Sequence, residues 1–124
     1  MKMQLFRKAL AIIAVAGFAT IPMIAAGMDC SMEPTVQSLE DCVQHAAEMG
    51  HIDNVGVAKS LLSKLHSAEV VRAHDGPAYW TTINILRAFI GEVQAQSGKH
   101  IDAEHAHHME LHAQMIIDAL QGSG

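Results

Sequence analysis

Histidines are crowded near the C-terminal end of this chain. Five of the nine histidines are His100, His105, His107, His108 and His112. On a helix, His105, His108 and His112 project into one sector, because residues three and four apart share a helix face. Neutral imidazoles at that separation chelate Zn²⁺, Cu²⁺ or Ni²⁺. We therefore predict a metal site formed by these three histidines, with Glu104 or a water as the fourth ligand.

A structural interpretation of the same histidines stays open. Met109 and Ile116 project into the same helical sector, so the histidines border the apolar core rather than facing open water. No HExxH pattern accompanies them. In this interpretation the histidines lie at the boundary of the core and bind metal only adventitiously. No cofactor is then expected, whereas the predicted metal site would take zinc or copper.

Catalytic chemistry has little support in the residue pattern. Ser60, Ser63 and Ser97 lie in no nucleophile-elbow or triad context. Small helical bundles also offer little concave volume for a substrate. We expect a protein that is not an enzyme and has no catalytic residues.

The elements that must position these side chains are helices. Apolar residues recur at spacings of three and four, in stripes over 36–47, 58–71, 79–93 and 106–120. We find no β-alternation, internal repeat or low-complexity tract. The predicted caps, stops and turns are Ser38, Gly50, Asp53-Asn54, Asp75-Gly76-Pro77 (with the proline in the first turn of the third helix), Gly98 and Asp102. Short connectors favour antiparallel neighbours, so we predict an all-α fold, a small antiparallel bundle of about four helices.

Residues 1–27 have the pattern of a secretory signal. A basic start (Lys2, Arg7 and Lys8) precedes an apolar stretch, and Pro22 comes before small residues at 25–27. The alternative is an uncleaved anchor, because the apolar stretch approaches membrane-spanning length. The proline and the small residues favour cleavage. We therefore expect an exported protein, periplasmic or secreted, with no stable membrane anchor after signal cleavage.

The chain has two cysteines, Cys30 and Cys42. An even number in an oxidising compartment predicts a disulfide, which would tie the N-terminal segment 28–37 to the first helix. The alternative is a redox or metal-binding thiol pair, although the spacing is not CxxC. Asp29 stands where lipidation of Cys30 would need a small residue, so we do not expect a lipoprotein.

Composition and charge exclude several classes of protein. Half of the chain is hydrophobic and its formal net charge is −5. The predicted signal contains three basic residues and no acidic one, so the rest of the chain is more acidic still. Such a chain is a poor binder of nucleic acid and of anionic lipid. It is also too apolar to be disordered, which leaves one small domain.

Two runs of the sequence resemble a known family. They read GHIDNVGVAKSLLSKL at 50–65 and AFIGEVQAQSGK at 88–99, and Ile101 and Ala106 follow. Together they resemble the FIMAH domain, an all-helical module of bacterial exported proteins, and the resemblance extends from about Leu39 to Leu120. It implies a FIMAH-like domain over 38–121 after the signal and the tied segment.

The FIMAH resemblance also implies a role. Modules of this family often end larger extracellular enzymes, and their own activity is poorly defined. The resemblance thus implies a non-catalytic accessory or interaction module whose partner is an envelope or extracellular protein or polymer. This chain departs from the family pattern in its last helix, where histidines occupy positions that are commonly aliphatic or uncharged polar.

Overall fold

The fold of residues 30–123 consists of four α-helices. The computed structural model describes residues 30–123, and the predicted signal peptide at 1–27 lies outside them. The helices are α1 (Val36–Glu48), α2 (Val55–Arg72), α3 (Trp80–Gln96) and α4 (Ala103–Ser123). No strand occurs within 30–123, which confirms the predicted all-α bundle. None of the helices described has the length and apolar character needed to cross a membrane.

The bundle encloses one apolar core. Each helix packs against the next along the chain, and α4 also contacts α1, which closes the bundle. The largest side chains that are completely buried include Leu39, Leu61, Leu65, Leu86, Phe89 and Ile116. All six belong to the predicted apolar stripes, so the helical period identified the core. Trp80 is an exception, because 68% of it is exposed although it belongs to the stripe of α3.

The N-cap of α1 lies three residues before the predicted one. The Oγ1 atom of Thr35 accepts a hydrogen bond from the backbone N–H of Ser38 at 3.1 Å. Thr35 is therefore the N-cap, and the prediction of Ser38 was wrong. The Ser38 hydroxyl instead donates to the carbonyl of Ser31 at 2.6 Å. It thereby holds the preceding segment against the helix.

The connection from α1 to α2 follows the predicted signals. Gly50 has φ +87°, and its N–H donates to the carbonyl of Ala47, while the N–H of His51 donates to that of Ala46. This pair of bonds is a Schellman motif, which satisfies the last carbonyls of α1. Asn54 then caps α2 by accepting a hydrogen bond from the N–H of Val57 at 3.0 Å. Both predicted helix ends are confirmed.

The turn between α2 and α3 uses a longer-range cap. The carboxylate of Asp75 accepts hydrogen bonds from the backbone N–H and the hydroxyl of Thr82, at 2.8 and 2.6 Å. Helix α3 starts only at Trp80, so Pro77 precedes the helix and the prediction of a proline in its first turn was wrong. Tyr79, immediately before the helix, has the left-handed φ of 52°.

The predicted disulfide is present. Cys30 and Cys42 are joined, with their Cα atoms 5.0 Å apart. Cys42 lies in the middle of α1, so the bond attaches the segment 30–35 to the side of that helix. This segment becomes one wall of the site described next.

Candidate metal centre and adjoining cavity

Two connectors with the same tripeptide lie side by side at one end of the bundle. His51-Ile52-Asp53 follows α1, and His100-Ile101-Asp102 follows α3. The N–H of Asp102 donates to the carbonyl of His51 at 2.8 Å, and the N–H of Asp53 donates to that of His100 at 3.0 Å. The two connectors thus form an antiparallel bridge centred on Ile52 and Ile101, both of which are buried.

The bridge is anchored by the helix ends that precede it. The carbonyl of Ala46 in α1 accepts the N–H groups of His51 and Ile52. In α3, the carbonyl of Gln96 likewise accepts the N–H groups of His100 and Ile101. The backbone at each histidine is therefore held both by its own helix and by the opposite connector.

A group of three potential metal ligands gathers at this bridge. His51, Asp102 and His105 each offer a ligand atom, and the three atoms lie within 4.8 Å of one another. His51 and His105 are half-buried, whereas Asp102 is exposed. His105 belongs to the first turn of α4, one turn after Asp102. His51 and His105 are far apart in the sequence, and they meet because the bridge joins the two connectors.

Hydrogen bonding orients the members of this centre. The Nδ1 atom of His105 lies 2.8 Å from Oδ2 of Asp102. This hydrogen bond is the main reason that the pKa of Asp102 is lowered, with a smaller contribution from the neighbouring His51. Because an ionised carboxylate only accepts, Nδ1 of His105 carries the proton in this contact. An ion held jointly by Asp102 and His105 would therefore take the place of this proton at Nδ1.

The two imidazoles of the centre are stacked. Their ring centroids are 3.7 Å apart and their planes differ by 14°. Each nitrogen lone pair lies in the plane of its ring, so parallel rings do not converge on a single ion. Binding by both histidines therefore requires one ring to turn about its terminal torsion, which is a soft rotation.

The predicted ligands are distributed along one wall rather than gathered. His105 belongs to the centre at the bridge, whereas His108 is exposed and His112 is buried. With Glu104, all of them line an adjoining cavity. Within residues 30–123, the only group of three or more close ligands is the one at the bridge. The set His105, His108 and His112 stays a prediction, and the geometry offers a different set that shares His105.

Sequence reasoning missed His51 and Asp102 as site residues. A signal existed, because the tripeptide His-Ile-Asp occurs at 51–53 and again at 100–102. The repeat is only three residues long, and we expected no internal repeat. Its meaning becomes apparent only when the two copies are seen to pair.

A cavity of about 470 Å³ opens between α1, α4 and the segment 30–35. We call it the α1–α4 cavity. It is lined by Cys30, Met32, Cys42, His45, Ala46, His51, Glu104, His105, His108, Met109 and His112. Its volume falls within the range of small-molecule sites, contrary to the expectation of little concave volume in a small bundle.

His112 is the most deeply buried imidazole of the cavity wall. It is 1% exposed, and its Nε2 atom lies 2.7 Å from the carbonyl oxygen of Glu33. A carbonyl only accepts, so Nε2 carries the proton and Nδ1 presents a lone pair. That Nδ1 atom is buried and has no hydrogen-bond partner among residues 30–123.

Comparisons with known proteins leave the fold and the site to be interpreted from their own chemistry. No protein-family model, curated protein or solved structure matches this chain. The resemblance to the FIMAH domain therefore stays a prediction.

Proposed function

We propose that this protein binds a transition-metal ion, Zn²⁺ or Cu²⁺, at His51, Asp102 and His105. The observation that carries the proposal is the proximity of one ligand atom from each of two imidazoles and one carboxylate, within 4.8 Å of one another. Both metals accept imidazole and carboxylate ligands, and water completes the coordination shell. The proposal keeps the metal-binding function predicted from the histidine helix and changes its ligands.

Preorganisation of the backbone supports this assignment. The bridge fixes His51 and Asp102 next to each other, and Asp102 orients the ring of His105. The nitrogen and the carboxylate oxygen that would bind the ion are thereby held side by side. The net charge of −5 also favours the approach of a cation over that of an anion.

We further propose that the protein acts outside the cytoplasm as a carrier or buffer of the metal. The Cys30–Cys42 disulfide supports an oxidising compartment. The predicted signal at 1–27 would direct export, to the periplasm or beyond the cell. In this role the protein holds and releases an ion and catalyses no reaction.

The proposal is tested by calorimetric titration of Zn²⁺ and Cu²⁺ into the metal-free protein. We expect one ion per chain with a sub-micromolar Kd, weakened at least tenfold in His51→Ala and in His105→Ala. His107→Ala is the matched control, because His107 is exposed on the same helix and lies outside both the centre and the cavity. Equal affinities in all four proteins would contradict the proposal.

One further variant separates the two ligand sets. His108→Ala removes a ligand of the set predicted from the sequence and leaves the centre at the bridge intact. We expect this variant to bind the metal as the unaltered protein does. A loss as large as that in His105→Ala would instead favour His105, His108 and His112.

The accessory role implied by the FIMAH resemblance is a second proposal. The observation that favours it is Trp80, which is 68% exposed beside the strained backbone of Tyr79. Exposed tryptophans are characteristic of contact surfaces. An envelope or extracellular partner that binds there would be crosslinked by the unaltered protein and not by Trp80→Ala.

A further inference from the structure

The wall of the α1–α4 cavity brings two methionines next to a histidine of the metal centre. Met109 comes four residues after His105 in α4, and both residues line the cavity. Side chains at this spacing share a helix face, with their Cβ atoms about 5–6 Å apart. Met32 lines the same cavity from the segment 30–35. Two thioethers and one imidazole thus border a single volume of about 470 Å³.

The two methionines differ in their exposure to solvent. Met109 is 4% exposed, whereas Met32 is 41% exposed. Met109 therefore belongs to the buried inner part of the wall, and Met32 belongs to its outer part. Both side chains have three rotatable bonds, so their sulfur atoms can approach an ion in the cavity while the backbone stays in place.

The ring of His105 is oriented by a residue outside the cavity wall. Its Nδ1 atom donates to Asp102 at 2.8 Å, and Asp102 does not line the cavity. The other nitrogen, Nε2, keeps its lone pair while Asp102 holds the ring. A histidine whose second nitrogen donates to a carboxylate is the usual arrangement at protein metal sites. An ion in the cavity can thus bind Nε2 and leave the proton on Nδ1.

This set of donors selects a soft ion of low charge. Thioethers are soft ligands that select Cu⁺, whereas Zn²⁺ is bound by imidazole, carboxylate and thiolate. The apolar wall also favours low charge, because a monovalent ion loses less hydration energy than a divalent one on entering it. A cation is favoured over an anion by the carboxylate of Glu104 on the wall and by the net charge of −5.

We propose that the α1–α4 cavity binds Cu⁺ through the thioethers of Met32 and Met109 and the Nε2 atom of His105. The inference rests on the proposed metal-binding function through His105, and it adds a preference for the cuprous ion. The two cysteines on the wall stay joined and take no part. Binding of Zn²⁺ and of Cu⁺ can fail separately, because only Zn²⁺ needs His51 and only Cu⁺ needs the methionines.

The test measures Cu⁺ affinity anaerobically at pH 7.5, by competition with bicinchoninate. Cu⁺ is supplied as its acetonitrile complex, so no reducing agent meets the disulfide. We expect Met109→Leu and Met32→Leu each to weaken Cu⁺ binding about tenfold or more, because each removes one soft ligand. Leucine and methionine are similar in volume, so both variants should fold. Their Zn²⁺ affinity should equal that of the unaltered protein.

Met115→Leu is the matched control, because Met115 is 39% exposed on the same helix and does not line the cavity. X-ray absorption at the copper edge gives a direct readout, since sulfur scattering should be strong in the unaltered protein and weaker in Met109→Leu. Equal Cu⁺ affinity in the unaltered protein and both cavity variants would overturn the proposal, as would a copper spectrum without sulfur.

A parallel zinc titration separates this inference from the proposed function. Tight Cu⁺ binding that depends on the two methionines, in a protein that binds no Zn²⁺ or Cu²⁺, would contradict the centre at the bridge and support the cavity site. Zn²⁺ binding with Cu⁺ affinities that are indifferent to both methionines would support the centre and contradict the cavity site.

Discussion

Single carboxylates hold the ends of the helices in this protein. Asp75 accepts two hydrogen bonds from Thr82, and Asp102 accepts one from His105. These contacts lower the pKa of both aspartates, and hydrogen bonding is the largest cause in each case. The ionised form is therefore the one that the folded protein prefers. The stability of the fold is therefore expected to fall at low pH, where these carboxylates become protonated.

The clearest case at this scale is Asp75→Asn. A lowered pKa in the folded state means that ionised Asp75 stabilises the fold above its unfolded pKa. This contribution is lost as the pH falls through the lower, folded value. We expect Asp75→Asn to reduce the Tm at pH 7, and the difference from the unaltered protein to shrink below about pH 4.

Thermal melts followed by circular dichroism from pH 7 to pH 2.5 measure this difference. Asp41→Asn is the control, because Asp41 is exposed in α1 and accepts a hydrogen bond from the side chain of Gln37 rather than from a helix end. A Tm difference for Asp75→Asn that stayed constant over the whole range would contradict the assignment.

At the scale of the helices and their connectors, the ends of α1 and α3 determine where the residues of the metal centre lie. His51 and Asp102 meet because Schellman bonding ends α1, the carbonyl of Gln96 at the end of α3 accepts the N–H groups of the following connector, and the two connectors then pair. Gly50 and Gly98 supply the left-handed residues that these endings need, with φ values of +87° and +79°. The connectors therefore depend on backbone conformation as well as on the burial of Ile52 and Ile101.

Glycine substitutions test this dependence. No atom lies within 4 Å of a Cβ added at Gly50 or Gly98, so only the positive φ opposes alanine there. We expect Gly50→Ala and Gly98→Ala each to lower the free energy of unfolding by about 1 kcal/mol. Gly91→Ala is the matched control, because Gly91 has open space in the interior of α3 and should gain about 0.5–1 kcal/mol.

Urea unfolding measures all three variants. The opposite sign in Gly91→Ala excludes a general effect of the added methyl group. An unchanged free energy in both Gly50→Ala and Gly98→Ala would show that these glycines carry no conformational role.

Helix positions were predictable because the apolar stripes are regular, but the precise ends were less so. Thr35 and Ser38 are equally good caps by residue type, and only the contact of Ser38 with Ser31 distinguishes them. Asp75 caps α3 from seven residues before Thr82, a separation outside the usual capping patterns. Asn54 and Gly50 were predictable because their roles are local.

At the scale of the whole molecule, the disulfide contributes to the free energy of unfolding and also forms part of the wall of the α1–α4 cavity. It closes a loop of the kind that contributes about 2–3 kcal/mol, and it holds the segment that contains Glu33. We expect the double variant Cys30→Ser/Cys42→Ser to melt roughly 10–20 °C lower.

The metal centre provides an internal control for that variant. His51, Asp102 and His105 are positioned by the bridge and not by the segment 30–35. Calorimetry at a temperature where the variant is folded should therefore give an unchanged Zn²⁺ affinity. A parallel loss of metal binding would mean that the bridge itself depends on the disulfide.

The site could be predicted only in part, because some of its residues are close together in the sequence and others are not. His105 belongs to a local cluster that helical spacing makes visible. His51 and Asp102 are far apart in the sequence and become neighbours only through the bridge. The unpaired Nδ1 of His112 depends on Glu33, 79 residues away, and no local pattern announces it.

The position of Trp80 has a consequence for spectroscopy. It is the only tryptophan, it is 68% exposed, and it begins α3, whereas the bridge follows the other end of that helix. A helix of 17 residues spans about 25 Å. Tryptophan emission is therefore already that of a hydrated indole in the native protein, and Cu²⁺ bound at the centre would be too distant for contact quenching. Fluorescence of this chain thus reports on the turn between α2 and α3, and hardly on unfolding or on the metal.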